Sequence, residues 1–406
     1  MIARLDPAAH AWLRDPAVTR VMTALNAGED AARFVGGCVR NALMDRPVED
    51  IDIATAHPPE TAAARLEEAG LKVVPTGIDH GTITAVADGR PFEITTLRKD
   101  VETFGRRAVV AFTHDWAEDA ARRDFRLNAI YCRPDGTLFD PFNGAADAQA
   151  GRIVFIGAPR ERIAEDHLRI LRFYRFIAWY GRGVDREGHA ACAEMAETLN
   201  ALSVERVWKE LKRLLAAPDP AEALAAMQEG HVLDALIPAR LDFRLLLSLI
   251  NRDRGESRAP DPLLRMTALA GGDEAAMTAL CEHMKASKAE AKTVRALCAA
   301  HADTVEPEAG QAALSRAVYA HGAQAVCGAL RLAEAAGRGE ADAALAFVGG
   351  LEPPVFPLKG RDLIAAGFAR GPELGALLER LERAWVDSGF TLDRQALLDL
   401  AGELRP

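Results

Sequence analysis

Two carboxylates two residues apart, Asp50 and Asp52, lie in a stretch where acids alternate with Ile51 and Ile53. On a strand, residues i and i+2 point to the same side, so the alternation sends both carboxylates one way and both isoleucines into a core. Adjacent carboxylates repel unless a cation lies between them. Their hard oxygens suit Mg²⁺, which is usually held together with substrate phosphates. A solvated strand edge would show the same pattern, so the pair gains meaning only from its surroundings. Upstream, Phe34-Val35-Gly36-Gly37-Cys38-Val39-Arg40 reads as a strand running through two glycines into a helix. Glycines there let backbone N–H groups approach a phosphate, and Arg40 becomes a candidate triphosphate contact. An ordinary tight turn would use the same two glycines. Glu93 alternates with Phe92 and Ile94 and is either a third catalytic carboxylate or a surface glutamate.

These residues need a scaffold, and the first 150 residues read as a small mixed α/β head. The segment 48–55 is a strand, 58–69 a helix and 71–75 a strand, and 82–87 and 91–97 form a hairpin around Asp88-Gly89. A last strand falls near 128–132, for about five in all. The segment 98–117 is rich in Arg, Asp and Gly and reads as a mobile loop whose Arg106-Arg107 could reach the site. After residue 160 nearly everything is helical. One helix spans 162–178, others fall near 203–216, 219–229, 242–251, 273–284, 287–300, 308–322 and 324–336, and a last helical unit follows the Pro-rich 352–357. The expected fold class is α+β, with a mixed-sheet head followed by an all-helical remainder.

The chain has 406 residues, 49% apolar and 27% charged, enough to bury a sizeable core. Its net charge of −10 argues against a protein that coats nucleic acid non-specifically, but not against a local basic groove. One candidate groove is Arg206, Lys209, Lys212 and Arg213, set against Glu205 and Glu210; a solvated helix face would look the same. The six cysteines include no C-x-x-C pair, which suits a reducing compartment and disfavours zinc. No apolar run approaches a membrane span. A cytoplasmic, soluble protein is expected, with no membrane and no obligate protein partner. His114-Asp115 lacks the companion histidines of an H-D hydrolase and reads as loop, and His80 is more simply structural.

Gly36-Gly37-x-Val39-Arg40 followed by Asp50-x-Asp52 resembles the first motif of the nucleotidyltransferases related to DNA polymerase beta. The resemblance is to the class II branch of CCA-adding tRNA nucleotidyltransferases and bacterial poly(A) polymerases. Further segments match in order. Arg122-Arg123-Asp124-Phe125-Arg126-Leu127-Asn128-Ala129 is similar to the segment that binds nucleotide and ribose there, which implies such roles for Arg123, Asp124 and Asn128. Asp140-Pro141-Phe142-x-Gly144 resembles the hinge between head and neck. Glu165-Asp166-x-x-Arg169-x-x-Arg172 resembles the nucleotide-selecting helix, and Ser203-Val204-Glu205-Arg206-Val207 with Glu210 the neck motif after it. Gly360-Arg361-Asp362-Leu363-Ile364 and Gly371-Pro372-Glu373-Leu374-Gly375 look like the tail of CCA-adding enzymes. Asn41, Arg126 and His167 depart from the residues usual in the family. The resemblance implies a catalytic head at 1–150, a neck at 151–217, an RNA-binding body at 218–350 and a tRNA-binding tail at 351–406.

Asp166 and Arg169, three apart on one helix, would share a face. A carboxylate only accepts hydrogen bonds and a guanidinium only donates. Cytosine and adenine both present an amino donor beside a ring-nitrogen acceptor, whereas uracil and guanine present a carbonyl beside an N–H. The pair would therefore accept C and A and leave U and G with clashing partners. The bland alternative is a surface ion pair between the two. The resemblance thus implies addition of CCA to tRNA from CTP and ATP, with Mg²⁺ held by Asp50 and Asp52. A poly(A) polymerase, an inert RNA-binding protein on the same scaffold and a small-molecule nucleotidyltransferase are the alternatives.

Overall fold

The structure is a computed structural model that describes residues 4–78, 81–104, 107–237, 241–303 and 305–404. His80 and Arg106 lie outside the described residues. The chain divides into two compact units, Met1–Pro238 and Ala239–Pro406. That division falls inside 218–350, the stretch read from sequence as one body.

The first unit is built on a seven-stranded sheet in the order β3-β4-β5-β2-β1-β8-β9. Its strands are β1 (Ala32–Val35), β2 (Asp52–Thr55), β3 (Lys72–Gly77), β4 (Thr82–Ala87), β5 (Arg90–Thr96), β8 (Tyr131–Cys132) and β9 (Leu138–Phe139). The sheet is mixed: β2 and β5 run parallel and the other neighbours antiparallel. Period-2 patterning accounts for it. In β4, Ile83, Ala85 and Ala87 are buried while the threonines and Val86 between them are half-buried. Asp88 and Gly89 both take positive φ, 51° and 76°, the backbone a type I′ turn needs. The helices Pro16–Leu25 and Pro59–Glu68 bury Val18, Val21, Met22, Leu25, Ala62 and Leu66. Asp15 caps the first of these by accepting from Ala17 and Val18 N–H.

Four expectations need correction. Pairing in β2 starts only at Asp52, so Asp50 precedes the strand, although the alternation persists as exposed Asp50 and Asp52 beside buried Ile51 and Ile53. Asn128 ends a short 3-10 helix, Arg126–Asn128, instead of opening a strand. The loop expected at 98–117 contains β6 (Arg98–Phe104) and β7 (Arg107–Phe112), which form a two-stranded antiparallel ribbon of their own. Arg98, Lys99, Asp100 and Glu102 crowd β6, which leaves little apolar alternation in the sequence. The helix expected over 162–178 is two helices, Pro159–Glu165 and Arg169–Tyr180, separated at Asp166, whose backbone is extended (φ −150°, ψ 105°). Beneath the second helix, Phe125, Phe155, Phe173 and Phe176 pack with ring centroids 4.9–6.3 Å apart.

The second unit is helical among its described residues. The helices Lys288–Ala302, Gln311–His321, Ala323–Ala335 and Asp342–Gly350 share one apolar core, and Phe243–Gly255, Pro262–Leu269 and Glu274–His283 bury Leu246, Leu249, Ile250, Leu264, Leu269, Met277 and Leu280. A separate cluster around Leu363, Leu381, Trp385 and Leu397 joins Gly360–Ala365, Pro372–Asp387 and Arg394–Glu403. Among the described residues, no helix is long and apolar enough to cross a membrane.

Candidate active site

The parallel register of β2 and β5 places Asp52 opposite Glu93, on the exposed side of the sheet. Asp52 has its carboxyl pushed above the ordinary range. Dehydration by the protein packed around it is the largest cause and the like charge of Glu93 the next; Asp50 adds to them, while Arg123 and Arg40 offset them. Glu93, on a neighbouring strand, and Asp50, just before β2, thus both bear on Asp52. Among the described residues no three His, Cys, Asp or Glu side chains close on a single metal position. The set is open, and its chemistry fits a hard cation: exposed oxygen donors whose mutual repulsion a divalent ion would relieve.

Gly36 supplies the space beside them. Its φ is +72°, and a Cβ built there would lie 3.8 Å from Asp52 Oδ2 and 3.7 Å from Arg123 Nη1. A side chain at 36 would be strained and would fill the gap between carboxylate and guanidinium. Gly37 begins the helix Gly37–Leu43, which carries Arg40. Arg40 is directed inward. Only 7% exposed, it donates to Asn128 Oδ1 (2.7 Å), Asn41 Oδ1 (2.9 Å) and Tyr180 Oη (2.8 Å), and its guanidinium stacks 4.0 Å from the Tyr180 ring. A phosphate contact through Arg40 would require these bonds to be exchanged. Asn41, one of the departures from the family pattern, is thus a partner of Arg40.

Arg123, Asp124 and Asn128 come together as expected, in a lattice that spacing alone did not reveal. Asp124 accepts from Asn128 Nδ2 (3.1 Å), from its neighbour's N–H at Phe125 (2.9 Å) and from Arg172 Nε (2.8 Å). Burial by itself would raise its carboxyl, but Arg172 and these donors hold it down at about 2. Arg123 pairs with Asp119 at 3.2 Å, and Asp119, 1% exposed, also binds Arg122 at 2.8 Å and accepts from Tyr131 Oη at 2.6 Å. The helices after the head grip this segment through arginines. Arg162 donates to the carbonyls of Arg122 (2.6 Å) and Arg123 (2.8 Å), Arg169 to that of Arg122 (3.3 Å), and Arg172 to Asp124. Asp119, Arg162, Tyr131 and Tyr180 were not singled out from sequence. Arginines at 162, 169 and 172, seven and three apart, gave a signal at helical spacing, and it does not name its targets.

The side chains of Asp166 and Arg169 are not paired with each other; only the Arg169 N–H donates to the Asp166 carbonyl, at 2.9 Å. Arg169 pairs with Glu165 at 2.5 Å and donates to the Arg162 carbonyl at 2.8 Å. Asp166, in the break between the helices, takes both oxygens to Arg206 Nη2 at 2.9 and 3.1 Å. Arg206 belongs to the helix Val204–Leu215, and so do the other three expected RNA-binding residues. Lys212 lies 5.4 Å from the Trp208 ring, Arg213 stands 3.7 Å from Glu210, and Lys209 and Arg213 are exposed. Glu210 is buried and bound by Arg175 at 2.6 Å, which ties this helix to Arg169–Tyr180.

Residues 32–154 match the family model described as the poly A polymerase head domain, and residues 184–242 the one described as a probable RNA and SrmB-binding site of polymerase A. The chain is 35% identical over 382 residues to CCA tRNA nucleotidyltransferase 1, mitochondrial, of Mus musculus, covering 90% of this chain and 85% of that protein. It is 33% identical over 390 residues to a CCA-adding enzyme of Limosilactobacillus fermentum, covering 92% and 93%. Its fold matches the crystal structure of the Bacillus stearothermophilus CCA-adding enzyme in complex with CTP with a TM-score of 0.77 and 25% identity, over 96% and 98% of the two chains. It also matches the fold of the Thermotoga maritima CCA-adding enzyme complexed with tRNA, with a TM-score of 0.65 and 18% identity over 100% and 97%.

Proposed function

The chain belongs to the family of CCA-adding tRNA nucleotidyltransferases, and from that premise we propose that it adds CCA to the 3′ end of tRNA from CTP and ATP, releasing pyrophosphate. The observation that carries the reading is the register of Asp52 against Glu93 beside the open Gly36 turn, with Arg123 on its far side. The family uses a divalent cation; we take it to be Mg²⁺, which Asp50 and Asp52 would hold and which would supply Lewis-acid activation of the attacking 3′-OH and charge neutralisation on the leaving group.

The protein's own groups do the rest by positioning. Gly36 and Gly37 leave room for a triphosphate, and Arg123 offers it a guanidinium already oriented by Asp119 and Tyr131. Asp124, Asn128 and Arg172 form the floor on which the nucleotide sits, kept rigid by their mutual hydrogen bonds. Asp166 and Arg169 choose the base: Asp166 accepts from the amino group common to C and A, and Arg169 donates to the ring nitrogen. Arg206 and Glu165, their partners in the structure, hold both groups in place and are exchanged for the base edge on binding. Arg206, Lys209, Lys212 and Arg213 serve the RNA side of the neck. Head, neck, body and tail divide at 150, 217 and 350, and the reaction belongs in the cytoplasm, whose reducing setting suits six free thiols.

The test offers tRNA transcripts ending in the discriminator base, in C or in CC to the protein with Mg²⁺ and each single NTP. Incorporation of two CMP and then one AMP is expected. The poly(A) polymerase names of the two family models favour one rival, and extension by many AMP residues from any RNA end would establish it. No incorporation would leave an inert RNA-binding protein.

A further inference from the structure

The two acids of the D-x-D pair are held in different ways. Asp52 sits in the β2 ladder, opposite Glu93. Asp50 does not: residues 46–51 lie outside any helix or strand, and Asp50 is exposed. Something besides sheet pairing must fix where its carboxylate stands. Ile51, 7% exposed, anchors one side of the segment. The other anchor is the helix Gly37–Leu43. The Asn41 carbonyl accepts from Arg46 N–H at 2.9 Å, and Asn41 Nδ2 donates to the Pro47 carbonyl at 2.9 Å. Asp45, just before, takes a φ of 53°, the left-handed conformation that closes many helix ends. Asn41 is itself pinned, because its Oδ1 accepts from Arg40 Nε at 3.2 Å and Nη2 at 2.9 Å. The chain of contacts then reaches a residue distant in sequence. Tyr180, the last residue of the helix Arg169–Tyr180, accepts from Arg40 Nη2 at 2.8 Å. Two guanidiniums lie against its ring, Arg40 at 4.0 Å and Arg46 at 4.9 Å from the centroid. One side chain therefore bears on both ends of the turn that leads to Asp50.

We propose that Tyr180 and Asn41 are positioning residues for Asp50: they hold the turn 44–49 and so set how tightly the acidic pair takes its divalent cation. This rests on the metal reading given above. Two like-charged carboxylates lower their energy by moving apart, so both backbones must be constrained for their oxygens to converge. The β2 ladder constrains one. The chain from Tyr180 through Arg40 and Asn41 to Pro47 constrains the other. Mg²⁺ demands near-ideal placement of its oxygens, so a loosened Asp50 costs affinity for the cation. Groups standing behind a ligand commonly govern metal affinity in this way. The tie also gives the acidic pair a support shared with Arg169 and Arg172, since all three attachments lie on the helix that ends at Tyr180.

The probe is Mn²⁺, whose free ion is counted by electron paramagnetic resonance, added to the full chain without nucleotide or tRNA. The wild type should show a site that Asp52→Ala removes. Tyr180→Leu, which takes away both hydroxyl and ring, should weaken that site roughly tenfold, and Asn41→Ala should do the same. Tyr180→Phe keeps the ring against Arg40 and Arg46 and should stay within about twofold of the wild type. In Tyr180→Leu, tRNA affinity measured in EDTA should not move. The Mg²⁺ needed for half-maximal incorporation should rise in that variant while kcat at saturating Mg²⁺ holds. An Mn²⁺ site equally tight in Tyr180→Leu and Asn41→Ala overturns the inference and leaves the metal reading standing. A wild type with no site that depends on Asp52 overturns the metal reading and this inference with it. A weakened site accompanied by an equal loss of tRNA affinity means a disordered head and overturns the inference too.

Discussion

Two charged regions adjoin in the head and treat charge in opposite ways. Asp50, Asp52 and Glu93 are exposed acids set against one another, and Asp52 is pushed toward its neutral form. A few ångströms beyond Gly36, Asp119, Asp124, Arg123 and Arg172 interleave opposite charges, and both aspartates are held below their ordinary carboxyl range. The first cluster costs folding energy and keeps its oxygens available. The second contributes folding energy by using its oxygens up. An acid left with like neighbours is poised for a cation from outside, and an acid enclosed by arginines is poised to hold geometry.

The largest expected effect tests the first cluster. Asp50→Ala or Asp52→Ala should lower CMP and AMP incorporation by on the order of 10³-fold, since several kcal/mol of transition-state stabilisation are lost. The thermal midpoint should stay level or rise because a repulsion is relieved. Normal turnover with Mg²⁺, or a falling midpoint with turnover intact, would invert the comparison.

Arg172→Ala tests the second cluster and should reverse the pattern. It leaves Asp124 buried without its cation and should cost about 2 kcal/mol of stability, allowing for the partial exposure of Arg172. The wild-type protein should show the linked pH dependence. Asp124 has its folded pKa depressed to about 2 from 3.8, so its contribution is complete above about pH 4 and disappears as the pH falls toward 2. Denaturation of wild type and of Asp124→Asn followed from pH 6 to 2 should therefore converge at the acid end. Parallel curves would remove the pair from the account.

Asp166→Ala asks whether an ion-paired acid can still choose a base. Misincorporation of UTP and GTP relative to CTP should rise roughly tenfold, the equivalent of one or two lost hydrogen bonds, while triphosphate binding weakens less. A uniform rate loss without misincorporation would mark the Arg206 contact as purely structural. Removing Lys99 to Val110, in the β6–β7 ribbon outside both clusters, should spare CC addition and lower the terminal A by several-fold, because a segment that adjusts the site between additions is lost. Equal loss of C and A, measured on transcripts ending in C and CC, would mean misfolding. The smallest effect belongs to Tyr180→Phe, which removes the hydroxyl on Arg40 and keeps the ring beneath it. A stability loss of about 1 kcal/mol or less is expected, read by denaturant unfolding.

How legible these regions were differs for physical reasons. The alternation at Asp50, Ile51, Asp52 and Ile53 is local, and burial follows it even where backbone pairing has not begun. The Asp88-Gly89 turn is equally local. The ribbon was missed because Arg98, Lys99, Asp100 and Glu102 leave little apolar period to read in its first strand. The helix break at Asp166 was missed because the sequence around it is helix-compatible. Its extended backbone goes with a carboxylate turned to Arg206, 40 residues away. Arg40 was legible as a cation beside a glycine turn, and its inward partners were not. Its burial depends on Asn128 and Tyr180, from segments 88 and 140 residues distant.

By itself, then, the sequence determined what short periods and residue chemistry can determine: a mixed-sheet head, a helical remainder, an acidic pair beside a glycine turn, and motifs in the order that a nucleotidyltransferase carries them. Which acid meets which base was decided only by the tertiary structure. A carboxylate accepts from any guanidinium within reach, and spacing along the chain does not rank the candidates. Packing does: the parallel register of β2 and β5 set Glu93 beside Asp52, and the clamp of Arg162, Arg169 and Arg172 closed on residues 122–124.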